Sequence, residues 1–244
     1  MDRVCFYIGN KPVYWYGVLV ATGLAAAWAH LRRLGRMAGF DEQFVSNMVL
    51  IAMLGGLVGA RVAYVASNWP DYAGQWMEII RIDHGGLVFY GGAVGAALAL
   101  SLHAALAKVP WRRYADFIIT GLPLGHAFGR IGCFLNGCCY GRACSCGLDW
   151  LGGRWPVQLM ETVANLFIYG VLTRMYRRCV APGMVFVAYL LTYPTVRFVL
   201  EFLRGDPRTS WGGLHVAQWM SLALVALGGF LGWVWKPRRR TPEV

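Results

Sequence analysis

Residues 44–66 read FVSNMVLIAMLGGLVGARVAYVA, and this stretch decides the fold class. Its only charged residue is Arg61. A helix needs about 20 mostly apolar residues to cross the hydrocarbon core of a lipid bilayer. Residues 44–66 are therefore predicted to form a membrane-spanning helix.

The pattern of this stretch recurs along the chain. Similar apolar runs occupy residues 15–31, 87–107, 114–131, 157–175, 184–203 and 216–235. The chain is 57% hydrophobic and 14% charged, whereas a soluble domain carries about 25% charged residues. This composition predicts an all-α integral membrane protein of about seven transmembrane helices, with residues 1–244 forming a single membrane domain. The first ten residues lack the pattern of a cleavable signal peptide, so the first run is expected to be a retained span.

Positive charge is concentrated in alternate links between the apolar runs, although the net charge of the whole chain is +11. The clusters follow the first, third, fifth and seventh runs, and they include Arg32, Arg33, Arg36, Lys108, Arg112, Arg113, Arg174, Arg177, Arg178, Lys236, Arg238, Arg239 and Arg240. Links rich in Lys and Arg face the cytoplasm, which predicts an outer N-terminus and a cytoplasmic C-terminus. No nucleic-acid partner is expected, because the charge does not form one soluble face.

Several polar residues lie within or beside the apolar runs, where ionisable groups are costly and usually functional. With the predicted orientation they all fall toward the outer side: Arg61, Asp83, His84, Arg130, Gln158, Glu161, Arg197, Glu201 and Arg204. Spans two to six are therefore predicted to converge on one polar zone. His84 and His126 are candidate proton acceptors in this zone, although a helix-packing role suits each of them equally well.

The sixth run carries Tyr193, Arg197, Glu201 and Arg204 at spacings of four, four and three residues. This spacing predicts one shared helical face. An Arg–Glu pair on that face could simply hold helices together. The alternative is an anion site, because arginine binds phosphate through two parallel hydrogen bonds and arginines outnumber the nearby acids. The simplest anion reaching such a site from the outer leaflet is a phospholipid head group.

Five of the seven cysteines fall within fourteen residues of the outer segment 132–156: Cys133, Cys138, Cys139, Cys144 and Cys146. The spacing differs from the paired C-x-x-C pattern of a strong zinc site. One or two structural disulfides are favoured, because an outer segment is open to oxidation. A metal or redox role is the alternative. Five is an odd number, so at least one thiol is expected to remain unpaired within the segment.

Residues 129–141, GRIGCFLNGCCYG, resemble the signature of the prolipoprotein diacylglyceryl transferase family. Further landmarks of that family occur in the expected order along nearly the whole chain. They are Tyr16-Gly17, the G-x-R-x-x-Y pattern of residues 59–64, Gly91-Gly92, Asp116, Pro123, the P-x-Q-L-x-E pattern of residues 156–161, the stripe from Tyr193 to Arg204, and Gln218. The signature and the stripe are specific to the family, whereas the glycine pairs alone are not.

The resemblance implies an enzyme of the bacterial cytoplasmic (inner) membrane whose active site faces the outer leaflet. Such enzymes transfer a diacylglyceryl group from phosphatidylglycerol to the lipobox cysteine of a secreted pre-lipoprotein, and they need no metal or cofactor. The implied catalytic residues are Arg130 and Arg197 as the essential pair, Glu201 as the group that orients an arginine, and Tyr90, which stands where well-known members carry histidine. The implied lipid-binding residues are Tyr16, Arg61, Gly91, Gly92, Asn136, Gly137, Gln158, Glu161, Tyr193 and Arg204.

Other departures from the family pattern keep two further hypotheses open. Cys133 stands where many members carry asparagine, Cys138 replaces an acidic residue, and Trp155 replaces a histidine. The first alternative is a relative that takes the same lipid but modifies a different acceptor. The second is a non-enzymatic membrane protein that uses the clustered thiols as a sensor or metal carrier.

Overall fold

A computed structural model describes residues 3–81, 85–145 and 153–236, and these residues are mostly helical. The helices are α1 (Trp15–Ala38), α2 (Glu42–Ser67), α3 (Trp69–Tyr72), α4 (Trp76–Ile80), α5 (Phe89–Leu106), α6 (Trp111–Ile119), α7 (Leu122–Leu135), α8 (Val157–Arg177), α9 (Met184–Glu201) and α10 (Val216–Trp235). The strands are β1 (Val4–Ile8), β2 (Lys11–Tyr14), β3 (Ser210–Trp211) and β4 (Leu214–His215).

Five stretches of the described residues are long and apolar enough to cross a membrane, so the chain is a multi-pass membrane protein. They are Glu42–Ser67, Phe89–Leu106, Trp111–Leu135, Met184–Glu201 and Val216–Trp235. Helices α1 and α8 form where the first and fifth spans are predicted, but neither is among these five. The third of these stretches, Trp111–Leu135, is longer than the predicted run 114–131, and it comprises α6 and α7 with a break at Thr120 and Gly121.

Two short antiparallel hairpins were not anticipated by the sequence analysis. In the first, β1 pairs with β2, with Val4 opposite Tyr14 and Ile8 opposite Lys11. In the second, Ser210 of β3 pairs with His215 of β4. Both hairpins directly precede a predicted span, α1 and α10 respectively. Strands this short give little periodic signal beside an apolar run of twenty residues.

The chain divides into two compact units, one of residues 1–31 and 115–244 and the other of residues 32–114. In the unit of residues 32–114, α2 packs along α5 through glycines. A Cβ on Gly91 or Gly95 would overlap the carbonyl oxygen of Gly59 or Gly55, respectively. The two backbones can approach this closely because glycine has no side chain, a packing mode that is common between helices in lipid.

The other unit is built around α7, α8, α9 and α10. Its apolar core contains Ile119, Ile168, Leu172, Val185 and Leu190, all less than 9% exposed. At the start of α9 the buried carboxylate of Asp116 accepts hydrogen bonds from the backbone N–H groups of Gly183 and Phe186. This caps the helix, since the first N–H groups of a helix have no partner within it. The cap positions α9, which carries most of the predicted polar stripe.

Candidate active site

Glu161 is the centre of a polar cluster formed by α7, α8 and α9. Its side chain is fully buried, and its Oε1 lies 2.9 Å from Nη2 of Arg130. The hydroxyl of Tyr193 donates a hydrogen bond of 3.2 Å to the same oxygen, and Nε2 of His126 lies 3.6 Å from it. The structure therefore brings together four residues that the sequence placed on three separate spans.

A second cluster begins on the last turn of α9 and continues beyond it. Nη2 of Arg197 lies 2.7 Å from Oε2 of the fully buried Glu201, and Nε of Arg204 lies 3.9 Å from the same oxygen. This confirms that these residues share a face, although α9 ends at Glu201 and Arg204 lies just past it. The two clusters are close enough that Glu161 interacts electrostatically with Arg197.

Asp206 is a member of the second cluster that was not predicted from the sequence. Arg204 donates two hydrogen bonds of 2.9 Å to the Asp206 carboxylate, and Arg208 donates another of 3.2 Å. Burial disfavours the ionised carboxylate, but these two arginines outweigh that effect and hold the pKa of Asp206 below its ordinary value. The sequence does contain a signal for this contact, because the pattern Arg204-Gly-Asp206-x-Arg208 places opposite charges two residues apart.

Both clusters have spare hydrogen-bond donors. Nε of Arg130, Nη1 of Arg197 and Nη1 of Arg204 are buried and have no hydrogen-bond partner within the described part of the chain. A buried donor without an acceptor is costly, and the cost is recovered when an anion supplies the acceptor. Phosphate oxygens suit guanidinium donors especially well. The site can therefore hold a phosphate group while Glu161 and Glu201 keep the arginines in place.

The segment after α7 lies beside these clusters. Gln158 donates a 2.8 Å hydrogen bond to the carbonyl of Cys138, so this predicted lipid-binding side chain supports the segment. Asn136 forms the C-cap of α7, and Gly137 adopts a positive φ of 71° that lets the chain turn. Tyr16 of α1 packs against Gly132 of α7, since a Cβ on Gly132 would lie 3.2 Å from the tyrosine ring.

The segment after α7 contains both a disulfide-bonded cysteine and free thiols. Cys144 is disulfide-bonded, whereas Cys133, Cys138 and Cys139 are free thiols; Cys146 lies outside the described residues. A hydrogen bond from Cys133, and then the nearby guanidinium of Arg204, lower the pKa of Cys139 below its ordinary value despite partial burial. The disulfide at Cys144 agrees with the expectation of one or two disulfides in this segment, and the free thiols agree with the expectation that at least one cysteine stays unpaired.

The remaining predicted site residues belong to the unit of residues 32–114. Arg61 is 7% exposed, and its guanidinium donates hydrogen bonds to the backbone carbonyls of Glu78, Ile79, Gly85 and Gly86. It therefore clamps the link between α4 and α5, and lipid binding by Arg61 stays a prediction.

Tyr90 lies in the first turn of α5, where it is 41% exposed and contacts Phe89 edge to face. Gly91 and Gly92 follow it, and both pack against α2 near Gly59 and Gly56. This packing does not test the prediction that Gly91 and Gly92 contact lipid. His84, one of the two candidate bases, lies outside the described residues.

Comparison with known proteins yields one consistent family. The family model of prolipoprotein diacylglyceryl transferase matches residues 3–235. A phosphatidylglycerol–prolipoprotein diacylglyceryl transferase from Clostridioides difficile is 33% identical over 249 residues, which cover 100% of this chain and 99% of the relative. Proteins of the same description from Symbiobacterium thermophilum and Methylibium petroleiphilum are each 33% identical. The alignments cover 93% and 98% of this chain and 90% and 97% of those relatives.

Proposed function

The chain belongs to the prolipoprotein diacylglyceryl transferase family, and from that premise we propose that it transfers a diacylglyceryl group from phosphatidylglycerol to a pre-lipoprotein. The acceptor is the thiol of the lipobox cysteine, and the product is a thioether. The observation that carries the proposal is the set of buried guanidinium groups of Arg130, Arg197 and Arg204, each with a donor unpaired among the described residues. The identity of the substrates comes from the names of the relatives, and the arginines offer a binding site for the lipid phosphate.

In the proposed reaction the thiol sulfur attacks the glycerol carbon that carries the phosphate ester. A C–S bond forms, the C–O bond breaks, and its electron pair leaves with the phosphate oxygen of glycerol phosphate. Arg130 and Arg197 stabilise the negative charge that grows on this leaving group, which lowers the barrier more than uniform binding of the lipid would. Glu161 holds Arg130, and Glu201 holds Arg197.

The thiol proton needs a base, because the thiolate is the effective nucleophile. His126 is the candidate favoured by the described site, because its Nε2 lies 3.6 Å from the carboxylate of Glu161 and its ring packs on Tyr193. A carboxylate in that position can orient the imidazole and stabilise its protonated form. Tyr90, from the family resemblance, and His84, from its place beside the predicted polar zone, stay alternative candidates.

An apolar groove between α8 and α9 supports a lipid substrate. Its lining starts at Ala164, three residues after Glu161 on α8, and also includes Phe167, Ile168, Val171, Leu172, Leu191, Thr192, Thr195 and Val196. Glu161 and Arg197 lie on the same two helices. A phosphate held by the arginines would therefore place acyl chains within reach of an apolar surface.

For the membrane arrangement we infer seven spans formed by α1, α2, α5, α6 with α7, α8, α9 and α10. The N-terminus lies outside and the C-terminus in the cytoplasm, because the basic clusters occupy alternate links. The chain then forms one membrane domain in the bacterial cytoplasmic membrane, with residues 132–156 as an outer segment. The active site faces the outer leaflet, where secreted pre-lipoproteins emerge.

The test combines the purified full chain with phosphatidylglycerol and a lipobox peptide, and the peptide is weighed by mass spectrometry. We expect the mass gain of one diacylglyceryl group. Arg130→Ala should lower the rate by a factor of about 100 or more, a typical cost of removing a donor to a developing oxyanion.

Arg178→Ala serves as the matched control, because Arg178 is an exposed residue at the C-terminal end of α8. It should leave the rate unchanged. A folded, lipid-binding wild-type protein that never modifies the peptide would contradict the proposed acceptor. An Arg130→Ala variant with full activity would contradict the proposed role of the arginine.

A further inference from the structure

Three free thiols converge where the chain leaves α7. Cys133 lies in the last turns of that helix, and Cys138 and Cys139 follow the turn at Gly137. The Sγ atoms of the three cysteines all lie within 4.8 Å of one another. The convergence follows from the backbone, because Gly137 and Cys139 have positive φ angles of 71° and 63°. A positive φ at a non-glycine residue is uncommon and persists only where the surrounding structure holds it.

We propose that Cys133, Cys138 and Cys139 form a binding site for one thiophilic d¹⁰ cation, Zn²⁺ or Cu⁺, held by three thiolates. Thiolate sulfur is the ligand that these soft or borderline ions prefer among protein side chains. The proposed transferase reaction makes no use of such an ion, so this site goes beyond the proposed function.

The spacing of the three sulfurs suits this kind of ion. A metal–sulfur bond of about 2.3 Å places two ligands of one ion about 3.8–4.0 Å apart. The three Sγ atoms, separated by no more than 4.8 Å, reach that spacing with movements of less than about 1 Å. Side-chain rotation alone can supply such a movement, so the backbone is already arranged for binding.

The surrounding structure holds this segment without help from a metal. The carbonyl of Cys138 accepts a 2.8 Å hydrogen bond from Gln158. Further along, the backbone N–H of Arg142 donates to the carbonyl of Leu203 at 2.8 Å, and the N–H of Gly205 donates to Tyr140 at 3.0 Å. Because these hydrogen bonds already hold the segment that carries the thiols, the thiols lose little conformational freedom when they bind an ion.

Charge near the thiols also favours the site. Three thiolates with Zn²⁺ or Cu⁺ carry a net negative charge, which is expensive to bury without a cation nearby. Arg204 interacts electrostatically with Cys139, and Arg130 does so with Cys133 and Cys139. Both guanidinium groups are fixed charges that offset the anionic complex.

The first experiment uses the reduced, metal-free full chain in detergent, titrated separately with Zn²⁺ and with Cu⁺ against a competing chelator. We expect one equivalent of one of these ions to bind and to block alkylation of Cys133, Cys138 and Cys139, as mapped by mass spectrometry. Alkylation of Cys5 and Cys179 should continue at its metal-free rate. The ion that is retained against the chelator identifies the occupant. A reduced wild-type chain that binds neither ion would overturn the proposal, as would binding that leaves the three thiols reactive.

Variants supply the second line of the test. Cys138→Ser should weaken binding at least tenfold, because it removes one of three ligands, whereas the double variant Cys5→Ser, Cys179→Ser should bind like the wild type. Co²⁺ provides a spectroscopic readout, since its bonds to thiolates absorb strongly in the near ultraviolet. Equal affinity in Cys138→Ser and the wild type would overturn the proposal. The alkylation experiment on the wild type decides the matter even if Cys138→Ser does not fold.

Discussion

The position of several charged and polar side chains depends on the buried carboxylate of Glu161. It is fully buried, and its Oε1 is shared by Arg130, Tyr193 and His126. An isolated charge in such a place would be very unfavourable, but a paired and hydrogen-bonded charge is tolerated. Glu161 therefore positions Arg130, and its own charge depends on the residues that surround it.

The first stability prediction concerns this carboxylate. Glu161→Gln keeps the shape of the side chain but leaves Arg130 buried without a counter-charge, a change that typically costs about 3–5 kcal/mol. Tyr193→Phe removes one hydrogen bond to a charged group and should cost less, about 1.5–3 kcal/mol. Thermal unfolding in detergent measures both changes.

Thr192→Val is the control, because among the described residues the exposed Thr192 hydroxyl bonds only to carbonyls of its own helix. It should change the free energy of unfolding by less than about 0.5 kcal/mol. If Glu161→Gln is no less stable than Thr192→Val, the buried carboxylate does not hold Arg130 as described.

At the scale of elements, the packing of α2 on α5 depends on glycines at matching positions. Gly55 and Gly59 of α2 face Gly91 and Gly95 of α5, and a Cβ on any of the four would meet atoms of the other helix. Close approach of this kind replaces the hydrophobic effect as a source of helix association in lipid. The glycines of these two helices thus have a specific structural use, which is to let the two backbones approach closely.

Gly95→Ala should weaken this helix pair. The new methyl group would overlap the carbonyl oxygen of Gly55 and the Cα of Gly59, both of which are backbone atoms that cannot rotate away. Overpacking of this kind typically costs about 1–3 kcal/mol, measurable as a lower unfolding temperature in detergent.

Gly170→Ala, in the interior of α8, is the matched substitution, because a Cβ there meets nothing within 4 Å. It should be neutral or stabilising by up to about 1 kcal/mol, since alanine favours the helix. Equal effects of the two substitutions would show that close packing does not hold α2 against α5.

For the whole molecule, the proposed orientation makes Cys179 a topological marker. It is exposed, and it follows α8 beside the basic residues Arg177 and Arg178. A membrane-impermeant maleimide should leave Cys179 unlabelled in intact spheroplasts and label it after permeabilisation. Cys5, on the outer hairpin in the proposed arrangement, should be labelled in both conditions.

Mass spectrometry of the labelled peptides identifies each site, and Cys179→Ser confirms the assignment of its peptide. Labelling of Cys179 in intact spheroplasts at the rate of Cys5 would reverse the proposed orientation. It would leave the family membership unchanged, because that rests on the sequence match.

Most of the helices could be predicted from the sequence, because an apolar run of about 20 residues is a strong local signal. The ends of the helices were harder to predict: α7 ends at Leu135 instead of residue 131, and α9 ends at Glu201 instead of residue 203. The pair Arg197–Glu201 was also predictable, since residues four apart on a helix are neighbours. The hairpins and Asp206 were missed because their signals are short and irregular.

The sequence by itself determined the membrane class, the family signature and which residues carry charge into the apolar spans, because each of these is a local pattern. Only the tertiary structure decided that Glu161 binds Arg130 and Tyr193, that Arg61 holds backbone carbonyls, and that three thiols converge. The contacts of Arg61 and Glu161 join residues 17 to 32 positions apart. The thiols of Cys133 and Cys138, five positions apart, meet because the chain makes a left-handed turn at Gly137. Periodicity describes one helix at a time, whereas the partner of a buried charge depends on which helix packs beside it.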